Sequence, residues 1–94
     1  MPNKIIEIQK LILPILKKNG VNKASIFGSF ARGEDTPESD VDILIELVQP
    51  KGLLFLAGLK FEIEEVLGRK VDLLTYRSVN PLLAKYILKD EIKI

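Results

Sequence analysis

Near the N-terminus, Ile5, Ile8, Ile12 and Ile15 recur every three or four residues, the spacing that lays one apolar stripe along an α-helix. Asn3 is a suitable cap for it and Gly20 a suitable stop. Pro14 has no backbone N–H to donate, so a bend at that point, or a helix shorter than the apolar pattern, is expected. Ile6, Leu13 and Leu16 form a second apolar stripe beside the first, more than a helix with one wet face needs, which predicts that part of it meets a partner. Lys23 to Phe27 reads as a short strand, Gly28 to Gly33 as a turn or single helical turn, and Glu34 to Ser39 as a polar loop broken by Pro37.

From Val41 to Leu47 the period falls to two. Val41, Ile43, Ile45 and Leu47 share one face of a strand, the core face, and Asp40, Asp42, Leu44 and Glu46 share the other. After Pro50 and Gly52, Leu56, Leu59, Ile63, Val66 and Leu67 predict a helix over about 53–67, with Lys60, Glu62, Glu64 and Glu65 mostly outward and Gly68 as its left-handed cap. Lys70 to Thr75 alternates as a third strand, and Asn80-Pro81 is a good cap and first turn for a last helix carrying Leu82, Leu83, Tyr86 and Ile87. Helices alternating with short strands predict an α/β (α+β) domain built on a small sheet.

At 94 residues, one domain spanning 1–94 is expected. A chain this short buries roughly 60–65% of its unfolded surface, so its stability margin is thin and complex formation is favoured. Fourteen basic and thirteen acidic residues give a net charge of +1, too balanced for a general clamp on duplex nucleic acid. Cysteine and histidine are both absent, which excludes disulfides, thiolate or imidazole metal sites, and histidine-dependent serine or cysteine triads. Chemistry must therefore run on carboxylates, hydroxyls, backbone amides, Lys or Arg. Lys4, Glu7 and Lys10 interrupt the first apolar stretch, so neither a signal peptide nor a membrane span is visible and the cytoplasm is the expected location.

Asp40 and Asp42 stand two apart, so their side chains leave one strand face with alpha carbons roughly 6.5 Å apart. Such a pair suits hard divalent cations such as Mg²⁺, which take a few carboxylates together with substrate phosphates, though an Asp-x-Asp pair can equally be a solvated strand start. Gly28-Ser29 follows a short apolar strand and opens a helical turn, where free amides and a hydroxyl attract phosphate; the same pair also makes an ordinary turn. Glu34 and Asp35 occupy the places where a P-loop needs Lys and Ser or Thr, so a Walker-type ATPase is not expected. Asp72 alternates with Val71 and Leu73 and could serve as a base on the side of Asp40 and Asp42, or pair with Lys70 or Arg69. Arg32 could reach a phosphate or pair with Glu34 or Asp35.

Taken together, Ile26-Phe27-Gly28-Ser29-Phe30-Ala31-Arg32-Gly33 followed by Ser39-Asp40-Val41-Asp42-Ile43-Leu44-Ile45 closely resembles the signature of the minimal nucleotidyltransferases of the DNA polymerase β-like superfamily. Asp72, within Val71-Asp72-Leu73-Leu74, looks like that family's third carboxylate. The resemblance implies the polymerase β-like fold, a small mixed sheet of three or slightly more strands packed by helices on one face. It implies that Gly28 and Ser29, with Arg32 nearby, hold ATP, that Asp40, Asp42 and Asp72 hold Mg²⁺, two ions in all, and that Asp72 activates the acceptor. AMP would pass from ATP to a hydroxyl. Proteins of this size further resemble the MntA-like antitoxins of HEPN/MNT toxin–antitoxin pairs (type VII), which implies a HEPN-type toxin as partner and one of its tyrosines as acceptor. The alternative is a non-catalytic module that neutralises a HEPN RNase by complex formation. A second copy of the chain would cover the surplus apolar stripe and the run Leu53 to Leu59 equally well.

Overall fold

The computed structural model describes residues 3–94, with side chains from residue 4 onward. The cap expected from the Asn3 side chain lies outside the described residues. Helix α1 (Asn3–Lys18) runs unbroken through Pro14, so the proline does not shorten it; Ile5, Ile8, Ile12 and Ile15 are buried as the spacing requires. Leu16 is buried in the same core, and Ile6 and Leu13 are half-buried. The second stripe is therefore partly taken up by the core, Leu16 wholly, while Ile6 and Leu13 keep some exposure. The amides of Asn19 and Gly20 donate back to Ile15, Leu16 and Lys17, and Gly20, at φ +76°, turns the chain out of the helix.

Four strands, β1 (Val21–Phe27), β2 (Val41–Leu47), β3 (Val71–Thr75) and β4 (Ile92–Lys93), form a mixed sheet in the order β3-β2-β1-β4. β1 is antiparallel to both β2 and β4, whereas β2 and β3 are parallel. A parallel pair needs a crossover, and helix α3 (Leu53–Leu67) supplies it. Val41, Ile43, Ile45, Ala24, Ile26 and Val71 face α1 and α3 and make one core with Leu59 and Ile63. Val66, expected inward, is exposed, whereas Leu67 in the same turn packs against the core. The short helix α2 (Gly28–Arg32) adds Phe30 to that core, and it and the last helix α4 (Pro81–Asp90) pack on each other and on β1. The Asn80 side chain accepts from Leu82 N at 2.8 Å, the cap that starts α4.

The two-residue strand β4 and the 3₁₀ turn Tyr76–Ser78 carry too little periodicity to be read from sequence. What holds them is a half-buried polar cluster around one fully buried hydroxyl. Ser25 is fully buried; its hydroxyl lies 2.6 Å from Tyr76 Oη and donates to Glu91 Oε2 at 2.6 Å, and Tyr76 Oη donates to the same carboxylate oxygen at 2.8 Å. Glu91→Leu leaves those hydroxyls without their acceptor and is expected to cost about 1–2 kcal/mol. The check is the urea midpoint, together with faster amide exchange at Ile94, whose N–H donates to Ala24 O at 3.0 Å. An unchanged midpoint and unchanged exchange would mean that the cluster does not hold the C-terminal strand.

Candidate active site

Parallel register sets the position of the acids. Asp42, second residue of β2, lies directly opposite Asp72, second residue of β3, so both side chains leave the sheet on one side. The register is held at its start: Glu64, expected outward on α3, turns to accept the amide of Val71 at 2.9 Å, and Val41 N donates to Lys70 O at 3.0 Å. Asp40 stands one residue ahead of β2, delivered by a loop that is itself tied down. Lys4 bonds Asp35 at 2.6 Å, Thr36 N donates to Ser39 Oγ at 2.8 Å, and the Arg69 guanidinium reaches Pro37 O at 3.4 Å while lying 5.0 Å from the Phe30 ring centroid.

On the other side of Asp42, Phe27 closes β1 in register with it, so the chain enters Gly28 beside that carboxylate. Gly28 has φ +72°, and a Cβ placed on it would run into Asp42 Oδ2. Only glycine allows this turn and this approach together. Ser29, half-buried, follows at once, and the first amides of α2 have no side-chain cap because the residue before the helix is Phe27. The glycine-serine turn and the row of acids are thus one contiguous feature.

The electrostatics agree with the geometry. Burial, then Asp72, then Asp40 push the Asp42 carboxyl up to about 6, and only Arg32 works against them. Arg32, at the end of α2, donates to Glu34 at 3.2 Å and to Asp90 at 3.4 Å. The pairing with Glu34 was one of the two expected; Asp35 is taken by Lys4 instead. Neither Asp40 nor Asp72 forms an ion pair among the described residues, so Asp72 is not neutralised by Lys70 or Arg69.

The nucleotidyltransferase domain model matches residues 8–94, a span that contains this turn and all three acids. The chain belongs to the nucleotidyltransferase family. A candidate protein adenylyltransferase of Methanocaldococcus jannaschii, MJ0435, is 53% identical over 90 residues, covering 96% of this chain and 97% of the relative. Among solved structures, a toxin–antitoxin assembly with AMP-PNP aligns with TM-score 0.82 at 22% identity, over 90% of this chain and 70% of that one. A Shewanella oneidensis complex of an MNT antitoxin with a tri-AMPylated HEPN toxin aligns with TM-score 0.75 at 19% identity, over 94% and 69%. The two structures establish the fold, a four-stranded mixed sheet with helices.

The residues of this nucleotidyltransferase suit a divalent cation. A carboxylate lifted to about 6 by burial and two like charges is a group that a cation would relieve. No three acidic side chains among the described residues are grouped so as to hold an ion unaided. Asp40, Asp42 and Asp72 are thus not gathered into one three-carboxylate cluster, and an ion held there would take waters and substrate phosphate oxygens as well. Leu44, on the same face as Asp42, is fully buried and forms a dry floor beside Ser25. The alternation put Leu44 on that face without giving it a role. The Ser25–Tyr76–Glu91 cluster next to it had no sequence signal, since its members lie 51 and 15 residues apart. No helix among the described residues is long and apolar enough to cross a membrane.

Proposed function

We propose that this nucleotidyltransferase is a Mg²⁺-dependent protein adenylyltransferase that moves AMP from ATP to a tyrosine hydroxyl of a HEPN-type toxin, and so acts as the antitoxin of a type VII pair. The observation that carries the reading is the close approach of the Gly28 turn to Asp42, itself level with Asp72, which supports a role for that turn in holding phosphate beside paired carboxylates. It is supported by the relative named for protein adenylyl transfer and by the fold shared with an MNT antitoxin whose HEPN partner is AMPylated.

In this reading the amides of α2 and the Ser29 hydroxyl bind the β- and γ-phosphates, and Arg32 adds positive charge at the same end. Asp40 and Asp42, with Asp72, would hold Mg²⁺, which when bound neutralises phosphate charge and orients the leaving pyrophosphate. Asp72 accepts the proton of the tyrosine hydroxyl as that oxygen bonds to the α-phosphorus. The bond from that phosphorus to the bridging oxygen breaks, and pyrophosphate leaves with the electron pair. Leu44 and Phe27 keep water from beneath the carboxylates. Leu82, Leu83 and Tyr86 stand exposed on α4, which packs on α2, so a partner seated there would lie next to the cradle.

The test is incubation with labelled ATP, Mg²⁺ and the co-expressed natural partner. One or more AMP adducts on a partner tyrosine are expected. Asp72→Asn should still form the complex yet lose labelling by on the order of 10²–10⁴-fold. A complex that silences the partner with no adduct would favour occlusion alone, and undiminished labelling by Asp72→Asn would remove that residue from its assigned role.

A further inference from the structure

Helix α3 has an apolar side that the fold leaves uncovered. Leu59 and Ile63 point into the core, while Leu54, Ala57, Gly58 and Phe61, at positions i, i+3, i+4 and i+7, line the opposite side. Leu54 is 92% exposed, Phe61 69%, and the neighbouring Leu53 85%. An apolar stripe with large exposed side chains at both ends and small ones between marks an interaction surface.

We infer that α3 pairs with α3 of a second copy of this chain, antiparallel, about a two-fold axis passing between Ala57 and Gly58. In that arrangement Leu54 of each copy lies over Phe61 of the other, and Ala57 faces Gly58, which lets the helix axes approach closely. Charge selects the same pairing. About an axis between Ala57 and Gly58, Lys51, just ahead of α3, comes level with position 64 of the other copy, one residue from the exposed Glu65. Neither makes an ion pair within the chain among the described residues, and the Lys51 ammonium rests 5.6 Å from the centroid of the Phe55 ring, a weak contact that an opposing carboxylate can replace. Reversing one helix on the other sets Lys51 of each copy beside Glu65 of its mate, twice per dimer, and opposes the two helix dipoles. The exposed face of α4 has no such match. Its flanking charges are Lys85 and Lys89, and Asp90 is engaged by Arg32, so a reversed second copy would bring like charges together.

The pairing is independent of the catalytic reading. α3 covers the core side of the sheet, whereas Asp42 and Asp72 leave the other side, so both sites stay open in the dimer. Fifteen residues make a helix roughly 22 Å long, a seam at the small end of specific interfaces, and a dissociation constant in the micromolar range is expected.

The test is sedimentation equilibrium of the whole chain up to about 500 µM, well above a micromolar dissociation constant. The native chain should approach twice the 10.6 kDa of one copy. Leu54→Glu and Phe61→Glu, both at exposed positions, should remain monomeric with unchanged circular dichroism and unchanged nucleotidyl transfer. Lys51→Glu and Glu65→Lys should each weaken self-association about tenfold, and an equimolar mixture of the two should restore it, since each mixed contact again opposes unlike charges. A native chain that stays monomeric, a dimer that survives both Leu54→Glu and Phe61→Glu, or a charge-swap mixture no tighter than its components would each overturn the pairing.

Discussion

Asp42→Asn is expected to abolish nucleotidyl transfer and to make the free protein harder to unfold. On the proposed assignment, the first effect, on the order of 10³-fold, follows from losing a charged ligand where the substrate's phosphates would be neutralised. The second follows from linkage. In the folded chain, burial, Asp72 and Asp40 lift the Asp42 carboxyl from its ordinary 3.8 to about 6. Between those values the folded state holds more proton than the unfolded one. Stability from this group is therefore complete below about pH 4 and lost as pH rises through 6. At neutral pH the ionised carboxylate costs about 1–2 kcal/mol after allowance for its partial exposure, and asparagine removes that cost. Melting should rise by several degrees, at roughly 4–8 °C per kcal/mol for a domain of this size. The gain should vanish at pH 4, where the native residue is largely protonated. Calorimetry of both proteins from pH 4 to 8 reads the difference directly, and equal melting temperatures at pH 7 would mean that the three acids do not strain one another.

Gly28→Ala should be the most damaging single-methyl change in the chain. Gly68 has almost the same backbone conformation, φ +69°, but an added Cβ there meets nothing, so Gly68→Ala isolates the cost of the left-handed conformation, about 1 kcal/mol. At Gly28 the methyl also lands on the Asp42 carboxylate. The carboxylate must swing away, which takes it out of the row with Asp72 and fills the space beside the Ser29 hydroxyl. Loss of stability by about 2–3 kcal/mol and loss of transfer by at least about 10²-fold are expected. Parallel urea titrations and transfer assays of the two variants make the comparison. If Gly28→Ala behaves like Gly68→Ala in both, the turn and the acids do not act as one site.

These two residues also show how far a sequence carries. The alternation of β2 put Asp40 and Asp42 on one side of a strand, and no tertiary information was needed, because a pleat has a period of two. It likewise predicted that Asp72 opposes Val71 and Leu73. That Asp72 stands level with Asp42 was not legible, since register between strands joined by a 15-residue helix depends on where that helix lands and on Glu64 reaching the Val71 amide. Gly28 was legible as a turn glycine, but the carboxylate that forbids any other residue there is 14 positions away and meets it only through the pairing of Phe27 with Asp42.

Local pattern alone determined β1 to β3, helices α1, α3 and α4 and most of the faces of α1, β2 and α3, because backbone periodicity and burial of apolar side chains act within a few residues of one another. Three further matters were decided only by the folded chain: the consumption of Leu16 by the core, the Ser25–Tyr76–Glu91 cluster that ties the C-terminal strand to β1, and the exposure of Leu54 and Phe61 on the back of α3. Each depends on which surfaces meet across the sheet. Such meetings are set by the summed packing of distant segments, and no stretch of a few residues encodes them.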